Sequence, residues 1–330
     1  MGSLFTGGPA FSQNIRIVGS GASFPFPLYS TWFHQYSRAT RGVSIDYQSK
    51  GSGGGVRDFI SRIVDFAASD AAMTDEEIAQ VKGGVVLLPM TAGQVVLVFN
   101  LPNVRQVRLP RDVYPLIFTG EVNRWNDPRI VAANPGATLP DMRITVVRRS
   151  DSAGTTYVFT KHLSAINESF RTKMGVGTTV QWPNLPNFIG SPRNDGITAT
   201  VAQTPGAIGY VEFGFALLSD TPFALLENKS GKFVEADEAA GQAALASADF
   251  SGEDLRIWVE DPASPEAYPI ATFTWMLFYR KHGNDRIAAE LRKFVAWAMD
   301  EGQGMAAELG YVPLPEGLIK RVKAEAANIQ

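Results

Sequence analysis

The chain has 330 residues, 45% of them hydrophobic and 19% charged, with a formal net charge of −3. That balance suits a soluble globular protein with room for two domains, and it argues against a nucleic-acid-binding surface. There are no cysteines, which excludes disulfides, thiol catalysis and thiolate metal sites, and no apolar run approaches the ~18 residues that a membrane span needs.

Residues 1–13 have neither a charged leader nor a long apolar core, so they do not read as a signal peptide. They are set aside as an added or disordered start, compatible with removal of a native export signal. Residues 15–18 form a short apolar strand, followed by Gly19-Ser20-Gly21-Ala22-Ser23-Phe24-Pro25. Pro25 and Pro27 stand where a helix can begin. Leu28, Trp32, Phe33 and Tyr36 then make a helical stripe that ends at Arg41-Gly42. A strand at 43–48 meets Gly51-Ser52-Gly53-Gly54-Gly55. Val56, Phe59, Ile60 and Ile63 have the spacing of an amphipathic helix. The strand at 64–68 leads to Ser69-Asp70, and Thr74-Asp75-Glu76-Glu77 resembles a capped helix start. This alternation predicts a mostly parallel sheet with helices on both faces.

Residues 85–89 and 95–100 read as two further strands separated by 90–94. Short helices are expected at 112–118 and 127–134, anchored by Trp125. A strand at 144–147 runs into Arg148-Arg149-Ser150-Asp151-Ser152-Ala153-Gly154-Thr155-Thr156. A helix follows, with Tyr157, Val158, Phe159, Leu163 and Ile166 on its apolar face. Residues 174–195 read as a surface loop, 197–203 as a helix and 208–211 as a strand. Residues 219–265 are polar and irregular, with a helix near 237–247. The strand at 268–279 is the strongest late signal. Helices at 285–299, 305–309 and 316–326 complete the chain. If there are two domains, the chain crosses near 89–94 and returns near 268–273.

The junction at 148–156 carries the most chemistry. A helix start offers backbone N–H groups with no partner inside the helix, and the dipole adds partial positive charge there. Such a junction can bind an anion. The plainer reading is a helix capped by Asp151 or Ser152. The loops at 19–25, 51–55 and 69–70 repeat the strand-then-loop form. In open α/β sheets, ligands lie beyond the carboxyl ends of the strands. With a slightly negative chain, local donors must hold any anion. The glycine run at 51–55 lacks the Gly-Lys-Ser/Thr of a P-loop, and neither Gly19-x-Gly21 nor Gly51-x-Gly53 completes a dinucleotide fingerprint. His34, His162 and His282 suggest no metal set and no Ser-His-Asp arrangement. Arg148 reads as a structural arginine and the six tryptophans as core.

Seven motifs in order resemble the PstS family, the phosphate-binding proteins of phosphate-specific ABC transporters, over about residues 15–325. They are the three loops above, the 147–155 junction, Asn194-Asp195-Gly196, Gly206-Ala207-Ile208-Gly209-Tyr210-Val211-Glu212 and Gly310-Tyr311-Val312-Pro313. The resemblance implies an α/β, two-domain periplasmic-binding-protein fold of type II, with a ligand cleft between domains joined by hinge strands. Domain 1 would be 14–90 with 270–330, and domain 2 would be 91–269. It implies an extracytoplasmic or periplasmic monomer that binds inorganic phosphate and delivers it to a membrane permease. No catalysis, cofactor or metal is implied. By motif, Ser23, Phe24, Ser52, Gly154 and Thr155 would donate to phosphate. Asp70 would accept the phosphate hydrogen, and Arg149 would be a charged donor held by Asp151. Ala153 departs from the pattern, which has a serine there, and removes one hydroxyl donor. Ser152, Thr155 or Thr156, or a water could replace it, and Thr155 with Gly154 is the expected replacement.

The residue types suit those roles independently. A buried oxyanion needs its oxygens hydrogen-bonded, and an arginine fork donates to two at once. A carboxylate in such a site makes sense only if the ligand carries a proton, which phosphate does and sulfate does not. Alternatives are a receptor for arsenate, phosphite or sulfate, or a phosphoryl-transfer enzyme. That enzyme needs an activated nucleophile or a metal cluster.

Overall fold

The computed structural model describes residues 14–252 and 254–330. The expectations for residues 1–13 lie outside that range. The first third alternates strand and helix as predicted: β1 (Ile15–Gly21), α1 (Phe26–Ala39), β2 (Val43–Ser49), α2 (Ser52–Ile60), β3 (Phe66–Ser69) and α3 (Asp75–Ala79). β1 lies between β2 and β3 and is parallel to both. α1 buries Leu28, Trp32, Phe33 and Tyr36 together with Tyr29. Thr74 and Glu77 close a reciprocal capping box at the start of α3.

Where the sequence suggests two strands there is one, β4 (Val85–Phe99). Its residues Val85 to Gln94 pair with β11 (Ala271–Tyr279), and Val95 to Phe99 pair with β8 (Ala207–Glu212). Pro89 and Gly93 hide its continuity in the sequence, because both are poor strand residues. Pro89 is accommodated because it faces Trp275, where the register shifts between Thr274 and Trp275. Irregular pairing is where a sheet tolerates proline. Gly93 is required by close packing, since a Cβ there would lie 2.8 Å from the Phe24 ring.

Beyond β4 come β5 (Arg108–Leu109), α4 (Tyr114–Thr119), α5 (Pro128–Ala133), β6 (Thr145–Arg149), α6 (Gly154–Ile166) and α7 (Glu168–Lys173). Next are β7 (Phe188–Ser191), α8 (Arg193–Gln203), β8, α9 (Phe213–Leu218), β9 (Leu225–Glu227), β10 (Phe233–Val234) and α10 (Glu238–Leu245). After β11 the chain ends with α11 (Asp285–Asp300), two 3-10 turns and α12 (Glu316–Ala326). The stretch read as a loop at 174–195 therefore contains β7 and the start of α8. β7 is a four-residue edge strand with a glycine inside it, which erases the alternation signal. α9, β9 and β10 were likewise not anticipated. The helix expected at 305–309 is a pair of 3-10 turns, Gly302–Met305 and Ala307–Leu309.

The main sheet runs β2-β1-β3-β11-β4-β8-β6-β7, and a small sheet runs β10-β9-β5. β3 and β4 flank β11 antiparallel, while β6 is parallel to β7 and β8. Strands β1, β3 and β6 thus deliver their carboxyl ends, Gly21, Ser69 and Arg149, to the loops singled out above. Trp32, Trp125 and Trp275 are fully buried and donate to the carbonyls of Gly302, Gly206 and Leu255. Trp182, Trp258 and Trp297 are half-buried against the same core.

α2 sits so close to β1 that a Cβ on Gly55 would run into the Gly21 backbone and lie 2.8 Å from the Ser20 carbonyl oxygen. Gly55→Ala must push α2 off the sheet. The expected loss is about 1–3 kcal/mol in denaturant unfolding, the usual cost of overpacking. Unchanged stability would show that α2 has room to move.

Candidate functional site

The predicted loops converge. Gly53 N–H donates to the Ser152 carbonyl at 3.1 Å. Asn194, at the start of α8, donates to Ser23 Oγ from its backbone N–H and from Nδ2, at 3.2 and 2.9 Å. α2 and α6 begin beside each other: a Cβ on Gly154 would lie 2.5 Å from Ser52 Oγ and 2.6 Å from Asp70 Oδ2. Only glycine permits that approach. Gly51 has φ of 87°, a left-handed value natural for glycine, and its missing Cβ makes room for Asp151 and the Ser152 carbonyl.

Neither helix start is capped by a side chain. The N-cap of α2 is Gly51 and that of α6 is Ala153. This overturns the plainer reading of Asp151 or Ser152 as a cap. Ser152 Oγ donates to Thr178 Oγ1 at 3.0 Å, turned to a different partner. Asp151 holds Arg149 instead. Arg149 Nε donates to Asp151 Oδ1 at 2.7 Å, and Nη2 donates to Oδ2. The remaining nitrogen, Nη1, donates to Thr155 Oγ1 at 3.2 Å. Asp151 also accepts from the Arg193 N–H at 3.1 Å. Burial opposes its ionisation, but the Arg149 bonds and charge with the Arg193 N–H outweigh that, holding the carboxyl below its ordinary range.

Asp70 is 1% exposed. Thr274 Oγ1 donates to its Oδ1 at 2.9 Å, and Ser52 Oγ approaches Oδ2 at 3.4 Å. Burial pushes its pKa up to about 7, against the opposing pull of Thr274, the Arg149 charge and Ser52; the Asp151 charge adds to the rise. Phe24 is fully buried, and its carbonyl accepts from Tyr311 at 2.7 Å. Ala153 is fully buried, with its N–H bonded to the Thr178 carbonyl. Ser23, Phe24, Ser52, Asp70, Arg149, Asp151, Ala153, Gly154 and Thr155 therefore come together.

Residues 8–301 match the family model described as a PBP superfamily domain. The phosphate-binding protein PstS of Xylella fastidiosa strain 9a5c is 38% identical over 323 residues, covering 96% of this chain and 86% of the relative. PstS of Pasteurella multocida is 36% identical over 325 residues, with 98% and 93% covered. The chain belongs to the PstS family. Its fold matches a periplasmic phosphate-binding protein, PfluDING, solved with bound phosphate: TM-score 0.79 at 21% identity, covering 94% of this chain and 93% of that one. A phosphate-binding protein from Stenotrophomonas maltophilia gives 0.74 at 24% identity, with the same coverage. The architecture is the two-domain α/β periplasmic-binding-protein fold.

Three residues beside this cluster had no role assigned from sequence. Thr274 is one of two buried threonines in β11, with Thr272, and nothing in the sequence singled it out. Asn194 belongs to a matching motif but gave no chemical hint. Glu212 is fully buried at the end of β8. Burial pushes its carboxyl well above the ordinary range, against the Gly214 N–H that donates to Oε1 at 2.9 Å, and the nearby Asp70 charge adds to the rise. Arg148 stays outside the cluster, donating to the Arg149 carbonyl at 3.3 Å. His162 is buried on Tyr114 at 2.7 Å, and burial lowers its pKa to about 3. Among the described residues no three His, Cys, Asp or Glu side chains group to hold a metal.

Asp70 makes stability depend on pH. Its folded pKa of about 7 lies above the reference 3.8. The stability from its neutral form is fully present below the reference value and is lost as pH rises towards and through 7. In phosphate-free buffer, stability should fall by a few kcal/mol between about pH 4 and 8, since each tenfold gain in proton affinity on folding contributes roughly 1.4 kcal/mol. Denaturant unfolding across that range checks it, and Asp70→Asn should flatten the slope. A slope that survives the substitution belongs to another group.

Proposed function

We propose that this protein captures inorganic phosphate between its two domains and delivers it to the membrane permease of an ABC importer. One observation carries the reading: a buried carboxylate, Asp70, stands among donors. The donors are the uncapped starts of α2 and α6, the Arg149 guanidinium and the hydroxyls of Ser23, Ser52 and Thr155. Phe24 adds a donor from the first loop. Asp70 takes the hydrogen of a protonated phosphate, and Asp151 orients Arg149. Where the family has a serine hydroxyl, Ala153 offers none; Gly154 and Thr155 supply the donors, since Ser152 is engaged by Thr178.

Domain 1 comprises residues 14–90 with 270–330, and domain 2 comprises 91–269. β4 is the hinge strand, because its two ends pair in different halves of the sheet. The protein works outside the cytoplasmic membrane as a monomer. It acts as a carrier, in keeping with the phosphate-binding proteins that its family relatives are. It needs no cofactor or metal.

Calorimetry should give tight phosphate binding and little for sulfate, which has no proton to give Asp70. Asp70→Asn should narrow the gap between the two anions. Equal affinity for both in the unaltered protein would sink the proposal.

Arg149→Ala should weaken phosphate by about 2–5 kcal/mol, the range for truncating one partner of a buried charge pair. Thermal unfolding of the ligand-free variant should stay close to wild type, since Arg149 lies in the cleft. Collapse of the fold, or an unmoved affinity, would make Arg149 a structural residue.

A further inference from the structure

Asn194 is fully buried and bonds to residues on both sides of the cleft. Its side-chain orientation is forced. The Glu212 backbone N–H, which can only donate, lies 3.0 Å from Asn194 Oδ1. The amide nitrogen must therefore face the other way, with two hydrogens to place. One goes to Ser23 Oγ at 2.9 Å, and the other points to Thr155 Oγ1 at 3.5 Å. Each of those hydroxyl oxygens also accepts from a second N–H. For Ser23 it is the Asn194 backbone at 3.2 Å, and for Thr155 it is Arg149 Nη1 at 3.2 Å.

A hydroxyl has two acceptor lone pairs and one proton. Both lone pairs of Ser23 Oγ, and both of Thr155 Oγ1, are used by N–H donors. The proton of each hydroxyl is left to be donated. We propose that Asn194 is a positioning residue that makes Ser23 and Thr155, one from each half of the cleft, obligate donors to the bound anion. It touches no anion oxygen itself. The inference rests on the phosphate reading above and adds a direction to it. Because Ser23 follows β1 and Asn194 opens α8, the first hydroxyl is committed only when the two halves meet. Closure and proton direction are then one event.

The test is a set of phosphate titrations by calorimetry, with thermal unfolding to verify folding. Asn194→Ala should weaken phosphate about tenfold, the lower end for one hydrogen bond to a charged group. In a Ser23→Ala, Thr155→Val background the same change should cost less than about twofold, because no hydroxyl is left to orient. Asn194→Asp should be worse than Asn194→Ala in the wild-type background, by about tenfold more. Its carboxylate lacks hydrogens, so the two hydroxyls would donate to it and turn away from the anion. Part of that loss is charge repulsion, which persists in the double background; the hydroxyl part does not.

An equal factor for Asn194→Ala in both backgrounds would overturn the proposal. So would an Asn194→Asp protein that binds as well as Asn194→Ala. If Asn194→Asp does not fold, the alanine cycle decides alone, and if Asn194→Ala does not fold, the aspartate cycle does. Wild-type protein that takes up no phosphate would defeat the phosphate reading itself, whereas additive losses with phosphate still bound would defeat only the role of Asn194.

Discussion

Two helix starts side by side repel each other. Each carries roughly half a positive charge and backbone donors that want an acceptor. Here α2 and α6 begin within contact distance, and a buried guanidinium lies next to them. The surroundings answer that excess. Asp151 neutralises Arg149 through two bonds, and Asp70 faces Ser52 and the start of α6. Neither helix has a side-chain cap to satisfy its donors internally. The remaining demand is for an oxygen-rich anion. The rest of the molecule, from the parallel strands of each half to the glycines at 51, 53 and 154, serves to bring these two starts together.

On the proposed division into two domains, the strand that joins them is where such a site can open without unfolding either side. β4 spends its first part in one half of the sheet and its last part in the other, with no loop between. Its partner β11 shifts register close to the crossing, opposite Pro89. A strand that keeps its backbone paired can bend at an irregular step, where one ladder bond is already missing. The hydrogen-bonded core of each half can stay intact while the angle between them changes.

Much of this was legible in the sequence, for identifiable reasons. The early strand–loop–helix units stood out because apolar periodicity switches from two to three or four at each glycine-rich junction. The cluster residues stood out because small donors and an Arg–Asp pair have no other reason to gather at strand ends. What was not legible depended on contacts between distant segments. Asp151 has the form of a helix cap; the family resemblance assigned it to Arg149, and the fold bears that out. Pro89 and Gly93 look like breakers until Trp275 and Phe24 are seen opposite them. Thr274 supports Asp70 from more than two hundred residues away in sequence. β7 and the small sheet are too short to carry a period.

The chain contains no cysteine. Ser52 and Gly154 nevertheless begin helices about a hundred residues apart in sequence, and on the proposed reading one anion held between them ties those points together. In the unfolded chain no such tie exists. The anion therefore acts as a removable cross-link across a long loop, the topological role that a disulfide fills in secreted proteins. It differs in being reversible on demand: the cross-link is the cargo, and unloading it restores the freedom that loading removed.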